Sequence, residues 1–370
     1  MKNTMKIMLA LLTSVSLVGS VNAGEISVSG SAKATYNMLS GGTLSASKGQ
    51  GRAIGITNEI DFGATGELDN GYTWNYQVQM DPGATTTAGG GGIDDTRLEL
   101  TTGYGTLGVY VSEGGLDVDN SGSQSVYGRP SDIGLATGMV DTYDIAAFTN
   151  IQLHTPAGLL PFDAVAKVAY SPGNETAIKS GNAAGNTTAD LGFKGSSSTQ
   201  YQLKLSPIDG LALGADYFTY LGDSARGLGT LVQQAESGAI YGTYKIGAAS
   251  FGTSVMMKAP LLVGTSTTAT VVLNSTAAGG NLAAARQYKN HKMSAAYNVN
   301  DALSISYELE KSERELIINA AENDIKSQAI QAAYTMGGMT LSVSHGNTDN
   351  VGYAQDDDRS QTLLAMSMAF

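Results

Sequence analysis

Residues 72–81 read YTWNYQVQMD. Tyr72, Trp74, Tyr76, Val78 and Met80 are apolar or aromatic, and the intervening Thr73, Asn75, Gln77, Gln79 and Asp81 are polar. A period of two puts the two sets on opposite faces of a β-strand. The pattern alone leaves two arrangements open. Either the apolar face packs on a second sheet in a soluble sandwich, or it meets lipid while the polar face meets water.

The same alternation recurs along the chain. In EISVSGSAKATYNM (25–38), Ile26, Val28, Ala32, Ala34 and Tyr36 share one face, and Ser27, Ser29, Ser31, Lys33 and Thr35 the other. Further strands are predicted at 52–66, 72–81, 94–102, 106–112, 146–154, 162–171, 199–206, 211–220, 238–247, 249–258, 288–298, 302–311, 326–336, 339–346 and 360–370, sixteen in all. The links between them alternate in length. Short ones at 67–71, 103–105, 156–161, 207–210, 298–301 and 337–338, with a near-immediate reversal at Gly247-Ala248, are rich in turn formers. Long polar ones fill 39–51, 82–93, 113–145, 172–198, 221–237, 259–287, 312–325 and 347–359.

The chain has 370 residues, 42% of them hydrophobic, with 47 glycines, 7 prolines and no cysteine. Glycine at that level suits short strands and connections better than helices, in which it is costly. Residues 1–23 combine a basic MKNTMK, an apolar IMLALLTSVSLVGS and a small-x-small Val21-Asn22-Ala23, the pattern of an export signal. A retained membrane anchor is the alternative reading. Removal of 1–23 predicts a single domain over 24–370 with 19 basic and 33 acidic residues, a net charge of −14. Such a balance disfavours nucleic acid as a partner and favours cations in an enclosed space. Without cysteine an exported chain is held by its sheet and not by disulfides.

Long loops at one end and tight turns at the other distinguish an outer-membrane barrel from a sandwich, whose two rims are not constrained in that way. Strands of about 9–11 tilted residues match the membrane thickness. Tyr72, Trp74 and Tyr76 then supply an interfacial girdle, Val78 and Met80 the hydrocarbon band, and the polar set faces water inside. The last ten residues, QTLLAMSMAF, repeat the alternation, with Thr362, Leu364, Met366, Met368 and Phe370 on one face.

On these features the chain resembles the Gram-negative general porins. IDFGATGELDNGYTWNYQVQMD (60–81) is similar to their early hairpin, RLELTTGYGTLGVYVSEG (97–114) to the next, and a terminal aromatic at Phe370 to their insertion signal. Two departures stand out: Ser112-Glu113 replaces a usual Gly-Arg, and 113–145 lacks the Pro-Glu-Phe-Gly-Gly stretch of enteric members. The resemblance implies an all-β, antiparallel up-and-down transmembrane barrel of about sixteen strands in the outer membrane. It also implies a homotrimer, and a third long loop that folds inward and narrows the pore.

That loop, 113–145, carries Glu113, Asp117, Asp119, Asp132, Asp141 and Asp144 against one base, Arg129. Folded inward, those carboxylates would oppose Lys33, Arg52 and Arg97 on the early strands and orient dipolar solutes by a transverse field, with a preference for cations. For any one of them the plainer reading is a solvated loop charge. Small hydrophilic solutes, outer-membrane lipid and lipopolysaccharide are the expected partners, and no cofactor is expected.

Other signals carry less. His154, His291 and His345 lack metal-ligand spacing and read as lumen or rim residues. No serine stands in a G-x-S-x-G elbow, and no catalyst is nominated. GGGG (89–92) reads as a flexible loop. DDD (356–358) reads as a solvated run or a surface site for Ca²⁺ or Mg²⁺, and SERELIINAAENDIKSQ (312–328) as a short helix over the seventh loop. Passive diffusion is therefore set against a substrate-specific channel and, in a different class, an exported β-rich adhesin or binding protein.

Overall fold

The computed structural model describes residues 24–42, 51–81, 92–172, 197–221, 230–260, 262–265, 268–272, 285–316 and 322–370. The expected export signal at 1–23, most of GGGG and parts of several long connections lie outside the described residues.

Sixteen strands close into one barrel. They are β1 (Glu25–Gly41), β2 (Gly51–Glu67), β3 (Thr73–Asp81), β4 (Gly92–Thr102), β5 (Gly105–Val111), β6 (Asn150–His154), β7 (Val165–Ser171), β8 (Ser197–Ile208) and β9 (Leu211–Leu221), followed by β11 (Glu236–Ile246), β12 (Ala249–Ala259), β15 (Ala285–Asn298), β16 (Leu303–Leu316), β17 (Ile325–Met336), β18 (Met339–Asp349) and β19 (Arg359–Ala369). Each is antiparallel to its neighbour, and β1 pairs with both β2 and β19. Closure leaves no open edge, and in lipid an unpaired backbone group would cost several kcal/mol. Three short strands in the connections, β10 (Thr230–Gln233), β13 (Leu262–Thr265) and β14 (Thr268–Val272), form a separate sheet that the sequence reading did not anticipate.

The two faces are as unlike as the alternation requires. Ile54 is 85% exposed and Ile240 61%, whereas Ser254 is 2% and Glu310 0% exposed on the other face. Apolar residues meet across strands on the outward side, as in Ile240 opposite Val255 and Tyr307 opposite Ile330. Among the described residues no second sheet covers them, so the apolar face of this barrel is its outer surface. Turns at 68–72, 103–104, 155–164, 209–210, 247–248, 299–302 and 337–338 all lie at one end. Gly247 and Gly337 open two-residue reversals at φ of +57° and +61°, a conformation a Cβ would strain.

Three local expectations are corrected. β6 starts at Asn150 and not at 146, because Asp144 accepts from the Ala146 N–H at 3.2 Å and caps a single 3₁₀ turn, Ile145–Ala147. β7 starts at Val165, since Phe162 and Asp163 adopt φ of +61° and +51°. Residues 312–316 and 325–328 extend β16 and β17, so the helix predicted over 312–328 does not form there. Cross-strand partners explain this: Glu313 lies opposite Lys289, and Gln287 donates to Glu315 at 2.5 Å.

Candidate functional site

The segment 112–149, between β5 and β6, hydrogen-bonds to the polar face of strand after strand. Ile145 N–H donates to Gln200 on β8 at 2.8 Å, Val118 N–H to Asp216 on β9 at 3.1 Å, and Tyr143 N–H to Ser237 on β11 at 2.8 Å. Further round, Gln124 N–H meets Ser294 on β15 at 2.9 Å, Ser131 N–H meets Glu310 on β16 at 2.8 Å, and Tyr127 N–H meets Gln331 on β17 at 3.0 Å. Lys33 of β1 lies over the Tyr127 ring, 5.6 Å from its centroid. A segment that reaches one face of so many strands of a closed cylinder lies inside it. The acceptor side chains satisfy loop N–H groups that water would otherwise have to reach. Gly252 permits the closest approach, because a Cβ there would strike the Gly122 carbonyl.

Charge fixes the middle of the loop. Arg129 donates to both oxygens of Asp141, at 2.9 and 3.0 Å, and from Nε to Asp132 at 2.8 Å. Lys292, on β15, sits 3.6 Å from Asp119, 3.4 Å from Asp141 and 3.9 Å from Glu310. Lys292, Asp119 and Glu310 are all buried, and loss of one partner in such a cluster costs about 3–5 kcal/mol. Burial would raise the Asp141 carboxyl, but the Arg129 hydrogen bonds and the Lys292 charge hold it well below the usual range. Burial pushes Asp119 up to about 7 against the pull of Lys292, and burial together with Asp144 pushes Asp117 up to about 6.

The sequence-derived site residues fall into distinct places. Glu113 accepts from Arg97 at 2.6 Å, and burial nevertheless raises its carboxyl. Asp117, Asp119 and Asp144 share hydrogen bonds, with Asp144 also accepting from the Leu116 N–H at 3.0 Å. Lys33 and Arg97 face inward. Arg52 does not: it is paired with Met38 and shares the parity of the exposed Ile54 and Ile56, so it belongs to the outer face at the loop end of β2. The expected opposition of loop acids to bases on the early strands therefore reduces to Glu113 with Arg97; Asp119, Asp132 and Asp141 meet Arg129 or Lys292, and Asp144 accepts from loop N–H groups.

Lys292, Glu308 and Glu310 were missed by sequence reasoning. Their signal was present in the parity that puts Glu308 and Glu310 on the face of Ser306 and Ser312. His154 faces the interior beside Gln152, at 2.8 Å. His345 is on the outer face with Val343, bonded to Thr362 at 2.8 Å, so it is not a lumen residue. Of the Asp356–Asp358 run, Asp357 is buried and engaged by Arg359 at 2.7 Å, and Asp358 accepts from the Asn350 N–H at 3.1 Å. Among the described residues no three His, Asp or Glu side chains converge as metal ligands would. Phe370 closes the seam: its N–H donates to the Gly30 carbonyl at 3.0 Å, its own carbonyl accepts from Gly30 N–H at 2.8 Å, and its ring occupies the space a Cβ at Gly30 would need.

Solved structures with this architecture are numerous. An anion-selective porin from Comamonas acidovorans matches at a TM-score of 0.64 and 10% identity, over 94% of this chain and 100% of that one. Its fold is that of the porins. OmpF of Salmonella typhi, solved in complex with daunomycin, matches this porin-fold chain at 0.63 and 14% identity, over 94% and 98% of the two chains. OmpT, an outer membrane protein of Vibrio cholerae in a trimer form, matches at 0.59 and 13%, over 94% and 100%. No protein-family model matches the sequence, and no curated protein does.

Proposed function

We propose that this chain is an outer-membrane porin, a water-filled passage for small hydrophilic solutes and ions that performs no catalysis. The carrying observation is the division of one closed sheet into an uncovered apolar outer face and a polar inner face along which the segment 112–149 is laid. Apolar residues on the outside suit hydrocarbon, and an interior lined by Ser, Gln, Asp and Lys suits water. An adhesin would not need that polar interior, nor a loop held inside by buried charge. A channel for sugars or phosphate would call for an aromatic slide or a dense basic wall.

In this reading Glu113, Asp117, Asp119, Asp132, Asp141 and Asp144 give the constriction an excess of carboxylate over its bases, and the pore prefers cations. The sign is opposite to that of the anion-selective Comamonas acidovorans porin. Self-association as a trimer, a shell of outer-membrane lipid and lipopolysaccharide, and an insertion role for Phe370 belong to the same proposal. Reconstitution into a planar bilayer tests it. Stepwise conductance is expected, with a zero-current potential across a salt gradient whose sign marks cation preference. A protein that inserts without conducting overturns the porin reading, and an anion-selective potential overturns the preference.

A further inference from the structure

The connection between β18 and β19 does not stand clear of the barrel mouth. Asn350, Tyr353 and Asp356 adopt φ of +55°, +64° and +60°, and Gly352 one of +68°. Left-handed backbone is unfavourable at a bulky aromatic and persists only where the surroundings over-determine it. Here they do. Asn350 donates from its side chain to the Asp324 carbonyl at 2.9 Å, and the Asp358 carbonyl accepts from the Gly42 N–H at 2.8 Å. So fixed, the turn Val351–Tyr353 carries the Tyr353 side chain inward, where it is buried. Its hydroxyl shares a hydrogen bond with Ser312 of β16 at 2.7 Å, its ring centre lies 6.2 Å from that of Tyr288 on β15, and the Arg314 guanidinium covers it at 4.3 Å. Arg314 in turn donates to Glu322 at 2.6 Å. The same turn grips the inner segment: Gly352 N–H donates to the Thr137 carbonyl at 2.8 Å. A Cβ on Gly138 would come within 2.8 Å of the Gly352 Cα, so the two backbones touch there. Beside that contact Met139 and Val140 pack on Tyr288, Ile325 and Tyr353.

Resting on the porin reading, we infer that Tyr353 is a positioning residue of the passage, the tooth of a latch by which the connection 350–358 holds residues 137–140 of the inner segment against β15–β17. Lys292 and Arg129 fix the middle of that segment by charge, and the latch fixes its returning limb by an aromatic ring and a backbone contact. The two holds are independent. Withdrawal of the ring strips Met139 and Val140 of their cover and leaves the limb free to swing from the wall into the passage. Because ring and limb bury one another, they leave the wall together or not at all, and the latch has two states.

Single-channel recording in planar bilayers, together with hydrogen exchange, tests this on the full chain. Tyr353→Ala removes the ring, and Gly138→Ala sets a methyl group against Gly352 and leaves the ring in place. Each should raise the frequency of transient closures about tenfold. Exchange should rise over 137–143 while β15–β17 stay protected. Tyr353→Phe keeps the ring and loses only the bond to Ser312, so its closures should stay within about twofold of the unaltered protein's. If Tyr353→Ala leaves either the closures or the exchange at the unaltered level, or loosens the barrel strands equally, the latch is overturned. An unaltered protein that inserts and never conducts overturns the porin reading instead, and exchange over 137–143 then decides the latch by itself.

Discussion

The wall of the barrel and the segment 112–149 inside it are built on opposite principles. In the wall, partners are near in sequence: β17 and β18 meet across a two-residue turn, and the faces follow from a period of two. The inner segment has no period. Its N–H groups and charges find partners as distant as Lys292, Glu310 and Gln331, which only the closed cylinder brings within reach. Solvent sets the first by sorting side chains between hydrocarbon and water. Specific polar pairs set the second, and each of them matters individually.

The contrast breaks most sharply at Lys292. Lys292→Met leaves Asp119 and Glu310 buried without their ammonium and should weaken docking of the segment by about 3–5 kcal/mol. Hydrogen exchange should rise across 112–149 while the barrel strands stay protected, and a second change, Asp119→Asn, should recover part of the loss. Uniform protection throughout would show that the wall alone holds the segment.

Sidedness of the wall is tested next. Ile240→Arg, on the outer face in the middle of β11, should cost about 2–4 kcal/mol in urea unfolding from vesicles. Thr243→Arg, inward on the same strand, should cost under about 1 kcal/mol, in the range of an ordinary surface change. Equal costs would remove the assignment of lipid to one face.

The smallest effect is one of pH. Asp117 and Asp119 keep their protons to about 6 and about 7, above the range near 4 at which an unfolded chain releases them. The folded state then binds more protons than the unfolded one across that window, so stability declines as pH rises from about 4 to 7. Ionisation also adds negative charge beside the passage. Zero-current potentials between pH 5 and 8 should show the cation-to-anion permeability ratio growing about two- to threefold with pH. Asp117→Asn/Asp119→Asn should flatten the trend.

What could be read from the sequence divides along the same line. Strand number, the placing of turns and the faces of residues such as Lys33 and Arg97 were legible because alternation is a local property. Arg52 was misplaced because it stands at a strand end, where a slip of one residue exchanges the faces. The loop acids were visible as a group, but their partners were not. Nothing local marks Lys292 as the counter-ion of Asp119, or Glu310 as the acceptor for Ser131. The 3₁₀ turn at Ile145–Ala147 was hidden for a related reason, its capping carboxylate being read as a pore charge.

The junction of Gly30 with Phe370 has a consequence for assembly. The pair that shuts the cylinder joins strands at opposite ends of the described chain, so its hydrogen bonds close the longest loop of any pairing in the barrel. Until then both rims of the growing sheet offer free amides and carbonyls to any strand they encounter, including those of sibling molecules. A polypeptide built this way is open to mispairing for as long as that one junction is unmade.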